Sequence, residues 1–237
     1  MTIASQIKAN QYGYDVILVA FGAGSASQAG ANFYARQMTK ADLARTDAMY
    51  CLDSIYAGDK VYAHSGRNSI KANYMKDYEK RRKLYEITDV FYEYELYTNN
   101  NFMLYTNQSS IDVQLPKFSK PVLYREWTLN DSDYVPFDNL GMPIVFFESY
   151  DYDKPSLESM KESQNPSFGT TGGMIRRTAY DATSYLDKIL NLTRSTTSTS
   201  STKTTKSSID QLTKRINNVA FIILEAINKG MNGAVVR

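Results

Sequence analysis

The sequence predicts a three-layer α/β sandwich, in which a mixed, mostly parallel central sheet is flanked by helices. Three observations predict it. Apolar runs that end in glycine or a polar turn alternate with stretches of helical spacing. The first run, YDVILVAFGAG over Tyr14–Gly24, shows no polar alternation, the pattern of a central strand buried on both faces. The 237 residues, 43% hydrophobic and 22% charged, are enough for one sizeable core.

Each element follows in chain order. SQAGANFYARQM has helical spacing, with Ala29, Phe33 and Met38 facing inward. Asp47–Ile55 is a second buried strand, followed by the turn YAGDK and a third strand, VYAHSG. Ser69–Tyr85 is an amphipathic helix with Ile70, Tyr74, Tyr78 and Leu84 on one side. TDVFYEYELYTNNN, from Thr88, reads as a strand with a polar turn at Asn99–Asn101, and SSIDVQL as a short helix capped by Ser109 or Ser110. Lys120–Thr128 and Met142–Ser149 are further strands, and an irregular loop rich in Tyr, Asp, Ser and Gly follows. MIRRTAYDATSYLDKIL opens the C-terminal helical part. The Ser/Thr-rich stretch at about 193–208 reads as flexible. A capping box at Ser208 and Gln211 then starts a helix running to about 229, with Leu212, Ile216, Val219, Ile223 and Ile227 at helical spacing. No repeat is present, so 1–237 reads as a single domain.

Composition removes several function classes. The formal net charge of +2 is small and dispersed, which argues against nucleic acid. The densest basic cluster, Glu79–Lys83, reads as a solvated helix face. A single cysteine, Cys51, excludes an intrachain disulfide and a cysteine zinc site, and its apolar setting marks a buried, inert thiol. With one histidine, His64, the chain cannot build a His-rich metal centre; His64 reads as structural. No signal peptide or membrane-length apolar run is present, so the chain as written reads as cytoplasmic and the sequons at Asn107, Asn130 and Asn191 carry little weight. The turn GAGSASQAG resembles a dinucleotide fingerprint at Gly22 and Gly24, but Ser27 breaks the pattern.

Four segments in order carry a family resemblance. FGAGSASQAGANFY, CLDSIYAGDKVY, SDYVPFDNLGMPIVFF and RTAYDATSYLDKIL are similar to motifs of the co-catalytic zinc aminopeptidases of peptidase family M28. The branch of the alkaline phosphatase isozyme conversion protein and related secreted aminopeptidases is the nearest. Ser132, Asp133, Pro136, Phe137, Gly141 and Pro143 all fall in register with the third motif, and the likeness covers about Tyr14 to Leu190. It implies a hydrolase-like zinc aminopeptidase fold that begins after the first strands of the family domain, since thirteen residues precede Tyr14.

The same resemblance implies that the zinc chemistry is lost. The family uses two zinc ions that share a bridging aspartate and activate a water. Its Glu-Glu pair, the general base followed by a ligand, corresponds here to Gly24 and Ser25. The histidine of a further ligand motif corresponds to Arg177. Among the positions so assigned, Asp53 alone keeps a ligand. Asp53 then reads either as a surviving metal ligand or as a strand-end carboxylate that caps a loop. Arg177 either pairs with Asp53 in place of the metal charge or points to solvent. Asp133 and Tyr134 shape the pocket.

No cofactor is therefore expected. The expected function is that of an inactive peptidase homologue acting as a binding or interaction module, with peptide or protein as partner and neither nucleic acid nor membrane. The alternatives are a metallopeptidase completed by a segment supplied elsewhere and a decayed gene fragment. Absent first strands would leave sheet surface exposed, which favours self-association.

Overall fold

The computed structural model describes residues 2–9, 14–66, 74–106, 110–113, 122–125, 131–154, 156–182, 184–186, 188–189 and 211–231. The Ser/Thr-rich stretch and the Ser208 cap lie outside them. The main sheet contains β1 (Met49–Asp53), β2 (Lys60–Ser65) and β3 (Leu104–Thr106). A separate antiparallel pair is formed by β4 (Ser110–Val113) and β5 (Val122–Arg125), and β6 (Ile144–Tyr150) completes the main sheet. Its order is β1-β6-β2-β3. The pairs β1/β6 and β2/β3 are parallel and β2/β6 is antiparallel, so the sheet is mixed and mostly parallel.

Strand β6 is central because IVFFESY offers apolar side chains to both faces. On one face Val145 and Phe147, with Val61 and Ala63, pack against helix α4 (Tyr74–Glu93) and the C-terminal helix, named α7 here (Gln211–Met231). Leu84, Ile87, Val90 and Phe91 supply the α4 stripe, and Val219, Ile222, Ile223 and Ala226 that of α7. Ile3 of α1 (Thr2–Ala9) packs against the same cluster. On the other face Ile144 and Phe146, with Cys51, meet Ala31 and Ala35 of α2 (Ala29–Gln37) and Phe137 of α6 (Val135–Asn139). This gives the three layers. Full burial of each Phe or Ile contributes roughly 1.5–3 kcal/mol. Among the described residues, no helix is long and apolar enough to cross a membrane.

Several expectations are corrected. Tyr14–Gly24 forms no strand: it has no regular secondary structure, and Ile17, Leu18 and Val19 are 72%, 58% and 42% exposed. A strand buried on both faces needs paired neighbours and cover; β6 takes that place instead, and Phe21 packs against Tyr34 and Phe137. Phe33 is exposed, because the small residues Ala31 and Ala35 form the inward stripe of α2. The segment from Thr88 continues α4 to Glu93, since Leu84, Ile87, Val90 and Phe91 keep helical spacing. The left-handed Glu95 then breaks it before α5 (Leu96–Asn99). SSIDVQL contains β4 and not a helix, because Ser110–Val113 pairs with β5. Helix α3 (Lys40–Arg45), with its Thr39–Asp42 capping box, escaped the sequence reading. Lys83 of the basic cluster is buried between Asp47 and Glu86 rather than solvated.

Helix α7 does more than cover the sheet. Buried Arg215 donates to the carbonyls of Tyr56 (2.8 Å), Gly58 (2.7 Å) and Asp59 (3.0 Å), in the loop after β1. Burial lowers its pKa to about 10, with the Asp59 charge acting the other way. Gly58 is required in this loop, since a Cβ there would meet the backbone of Ser149. Replacing Arg215 by Met strands these acceptors; it is expected to lower stability by about 2–4 kcal/mol. Urea unfolding measures the loss, and amide exchange should rise at residues 56–59.

Candidate functional site

Parallel pairing of β1 with β6 sets Asp53 beside Glu148 at the carboxyl ends of the two strands. Open α/β sheets keep their crevices at this end. Neighbouring strands are about 4.8 Å apart, so two carboxylates on one face repel unless a cation lies between them. Arg176 supplies it. Its Nη1 is 3.4 Å from Asp53 Oδ2, its Nη2 is 3.4 Å from Glu148 Oε2, and its Nε donates to Glu162 Oε1. Glu162 also accepts the backbone N–H groups of Ile175 and Arg176. Asp59, which accepts from Ser163 Oγ and the Gln164 N–H at 2.6 Å each, fixes the loop that carries Glu162.

The cluster is nearly dry. The Glu148 and Glu162 side chains are 0% and 1% exposed, and that of Arg176 14%. Burial works against the Arg176 charge, but Glu148, Glu162 and Asp53 outweigh it and hold the guanidinium protonated. Burial likewise raises Glu148, yet His64, Arg176 and the Tyr152 hydroxyl together keep its carboxyl below the usual range. Tyr152 Oη donates to Glu148 Oε1 at 2.6 Å, and His64 Nε2 lies 2.9 Å from that oxygen. His64 is fully buried in β2, stacked on Tyr62, and is not among the residues that line the cavity.

A cavity of about 370 Å³ opens over this cluster. Gly24, Ser25, Asp53, Asp133, Arg176 and Arg177 are among its lining residues. Five of the seven non-glycine residues with positive φ among those described lie in its loops: Ala23, Ser27, Gln28, Ser54 and Arg177, at φ 51–60°. Such backbone costs about 1 kcal/mol per residue and collects at functional sites. Asp131 ties the rim together, accepting from Gln28 Nε2 at 2.6 Å and from Arg177 Nη1 at 3.0 Å.

The predicted site residues line one cavity, with the exception of Tyr134. Tyr134 is completely buried, tilted against Phe146, and lies behind the wall and not on it. Arg177 does not pair with Asp53. Its positive φ turns the side chain outward to Asp131, and the preceding Arg176 takes the inward position. The physical reason is that 176–180 form turns, so the expected helical projection is absent there; among the described residues of this stretch, helix appears at 184–186 and 188–189. Asp133 Oδ1 is buried and has no hydrogen-bond partner among the described residues. Burial and the Asp53 charge raise the Asp133 pKa, partly offset by Arg177. A side chain at position 24 would begin 3.9 Å from this oxygen. Ser132 Oγ donates to Asp53 Oδ2 at 2.9 Å and lies 3.8 Å from Cys51 Sγ. Burial pushes the Cys51 thiol up to about 12, which makes it inert.

Zinc needs several anionic or imidazole donors in a tetrahedral or near-tetrahedral set. At the positions assigned to such donors, Gly24 offers none, Ser25 a neutral hydroxyl and Arg177 a cation, while Asp53 already faces Arg176. These residues do not fit a zinc pair. Among the described residues no group of three His, Cys, Asp or Glu side chains could hold a metal ion.

The sequence profile of peptidase family M28 matches residues 1–188. No curated protein matches the chain. Two structures of BSAP, a zinc aminopeptidase from Bacillus subtilis, are similar to it. One is 16% identical over 65% of this chain and 30% of BSAP, with a TM-score of 0.43. The other is 13% identical over 96% and 38%, with a TM-score of 0.49. The chain thus spans about a third of the length of these relatives.

Arg177 and Asp131 are half exposed, at 55% and 51%. Their ion pair is screened by water, so Arg177→Ala is expected to change stability by less than about 1 kcal/mol in urea unfolding.

Proposed function

The chain belongs to peptidase family M28, and from that premise we propose a member whose cleft binds a ligand without zinc-dependent hydrolysis. One observation carries the reading: the Arg176 guanidinium rests against Asp53, the single assigned ligand position that keeps a carboxylate. A fixed cation beside that carboxylate opposes a divalent one. Gly24 supports it further, because no carboxylate stands there to take a proton from a nucleophilic water. Loss of a general base alone typically costs about two to four orders of magnitude in rate. The reading therefore includes no cofactor.

The cleft has a charge preference of its own. Asp53, Asp131, Asp133 and Asp181 oppose Arg176 and Arg177 along its lining, four formal negative charges against two positive, or net −2. Such a lining favours a cationic group, and a peptide amino terminus or a basic protein segment fits the cavity's chemistry. The competing reading, a metallopeptidase whose remaining ligands lie outside these residues, is favoured by the short span of the chain against BSAP.

Metal analysis of the purified protein, with aminoacyl-p-nitroanilide hydrolysis in added zinc, separates the two. The expected outcome is zinc well below stoichiometry and no turnover. Stoichiometric zinc with turnover refutes the proposal.

We also propose self-association through the segment carrying Ile17, Leu18 and Val19, consecutive exposed apolar residues. The occupant is a second copy, since Val16–Phe21 contains no charge to oppose its own image in antiparallel pairing. Sedimentation velocity should give a dimer or larger species that Leu18→Lys converts to monomer. A monomeric parent chain excludes the idea.

A further inference from the structure

We infer that Arg176 is a resident cation, required by three carboxylates that the fold brings together and binding them through the three corners of its guanidinium. The inference rests on the reading of the cleft as metal-free and says what stands in the metal's place. Asp53 comes from β1, Glu148 from β6 and Glu162 from the loop after β6, so the cluster is made by three separate segments. Strand register fixes the first two side by side. Glu162 is aimed inward by the backbone N–H groups of Ile175 and Arg176. Each corner of the fork serves one carboxylate: Nε serves Glu162, Nη1 Asp53 and Nη2 Glu148.

Charge and shape both matter here. Glu148 and Glu162 are sealed from water, and a buried carboxylate without a counter-charge is strongly unfavourable. Arg177 cannot substitute, since its guanidinium is held by Asp131 at the rim. A lysine ammonium at position 176 would be a point charge and could not span three separated partners as a planar fork does. The site left by removing the side chain therefore has the chemistry to take a free guanidinium ion.

That ion is the probe. Urea midpoints are compared for the parent chain, Arg176→Ala, Arg176→Lys and Arg177→Ala, each with low-millimolar guanidinium chloride or potassium chloride at equal ionic strength. Arg176→Ala is expected to lose midpoint and to regain it progressively with guanidinium but not with potassium, as linkage to a native-state ligand requires. Arg176→Lys should fall between Arg176→Ala and the parent, and Arg177→Ala should respond to neither salt. If Arg176→Ala is insoluble, recovery of soluble, folded protein on refolding with guanidinium reads the same quantity. An Arg176→Ala midpoint equal to the parent, recovery equal in both salts, a refolding yield unmoved by guanidinium, or Arg176→Lys matching the parent would each overturn the inference. Zinc content of the parent chain, measured separately, decides the metal-free reading and leaves this outcome untouched.

Discussion

The structure depends on one electrostatic constraint: two parallel strands end in carboxylates that face each other. Asp53 and Glu148 are register partners, so each is fixed by backbone hydrogen bonding and cannot rotate far from the other. Coulomb repulsion at such a separation is modest in water and several-fold larger where water is excluded. Glu148 is fully buried, which leaves the fold two options, protonation or a counter-cation. Arg176 stands between them, 3.4 Å from an oxygen of each, and His64 and the Tyr152 hydroxyl also face Glu148. Around it the rest follows in order. Arg176 must reach inward, Glu162 must anchor its Nε, and the loop bearing Glu162 must be held by Asp59.

A guanidinium and a divalent metal meet this constraint in different ways. Both neutralise adjacent carboxylates. A metal also withdraws electrons from a bound water and polarises a carbonyl, whereas a guanidinium only donates hydrogen bonds and charge. An arginine at the floor of the cleft balances part of its acidic lining. The orphaned Asp133 oxygen stands on the other wall. It faces the space above Gly24, and nothing among the described residues donates to it.

Much of this was legible in the sequence where a local signal had no competitor. VFF within β6 and the six-turn stripe of the C-terminal helix were read because apolar periodicity is a backbone-level signal. The family resemblance, and not spacing alone, groups Gly24, Ser25, Asp53 and Asp133, and all four line the cavity. Of the two readings the sequence leaves for Arg177, the structure takes the solvent-facing one, with Asp131 as its partner at the rim. A helix was expected through it, and a single left-handed φ reverses which of two adjacent arginines faces inward. Glu148 and Glu162 were missed because one isolated acid in a strand or loop resembles any surface acid. The recoverable signal was Glu148 itself, a charge inside an apolar run opposite Asp53. Tyr14–Gly24 failed for the opposite reason: its composition is that of a covered strand, and composition does not say whether the cover is present.

The C-terminal helix extends the argument beyond the family-matched residues. Residues 1–188 match the family, yet α7, from Gln211 to Met231, supplies Val219, Ile222, Ile223 and Ala226 to the same core as β6. It also reaches toward the cleft through Arg215, which holds the carbonyls of the loop from Tyr56 to Asp59. Asp59 in turn fixes Ser163 and Gln164 beside Glu162. A continuous set of contacts thus runs from a helix outside the matched segment to the cation under the cavity. Its physical consequence is rigidity. The loop from Ser54 to Asp59 carries a left-handed residue at the cleft wall, and strained backbone of that kind persists only where its surroundings over-determine it. Arg215 supplies part of that determination from behind, as Arg176 does from below.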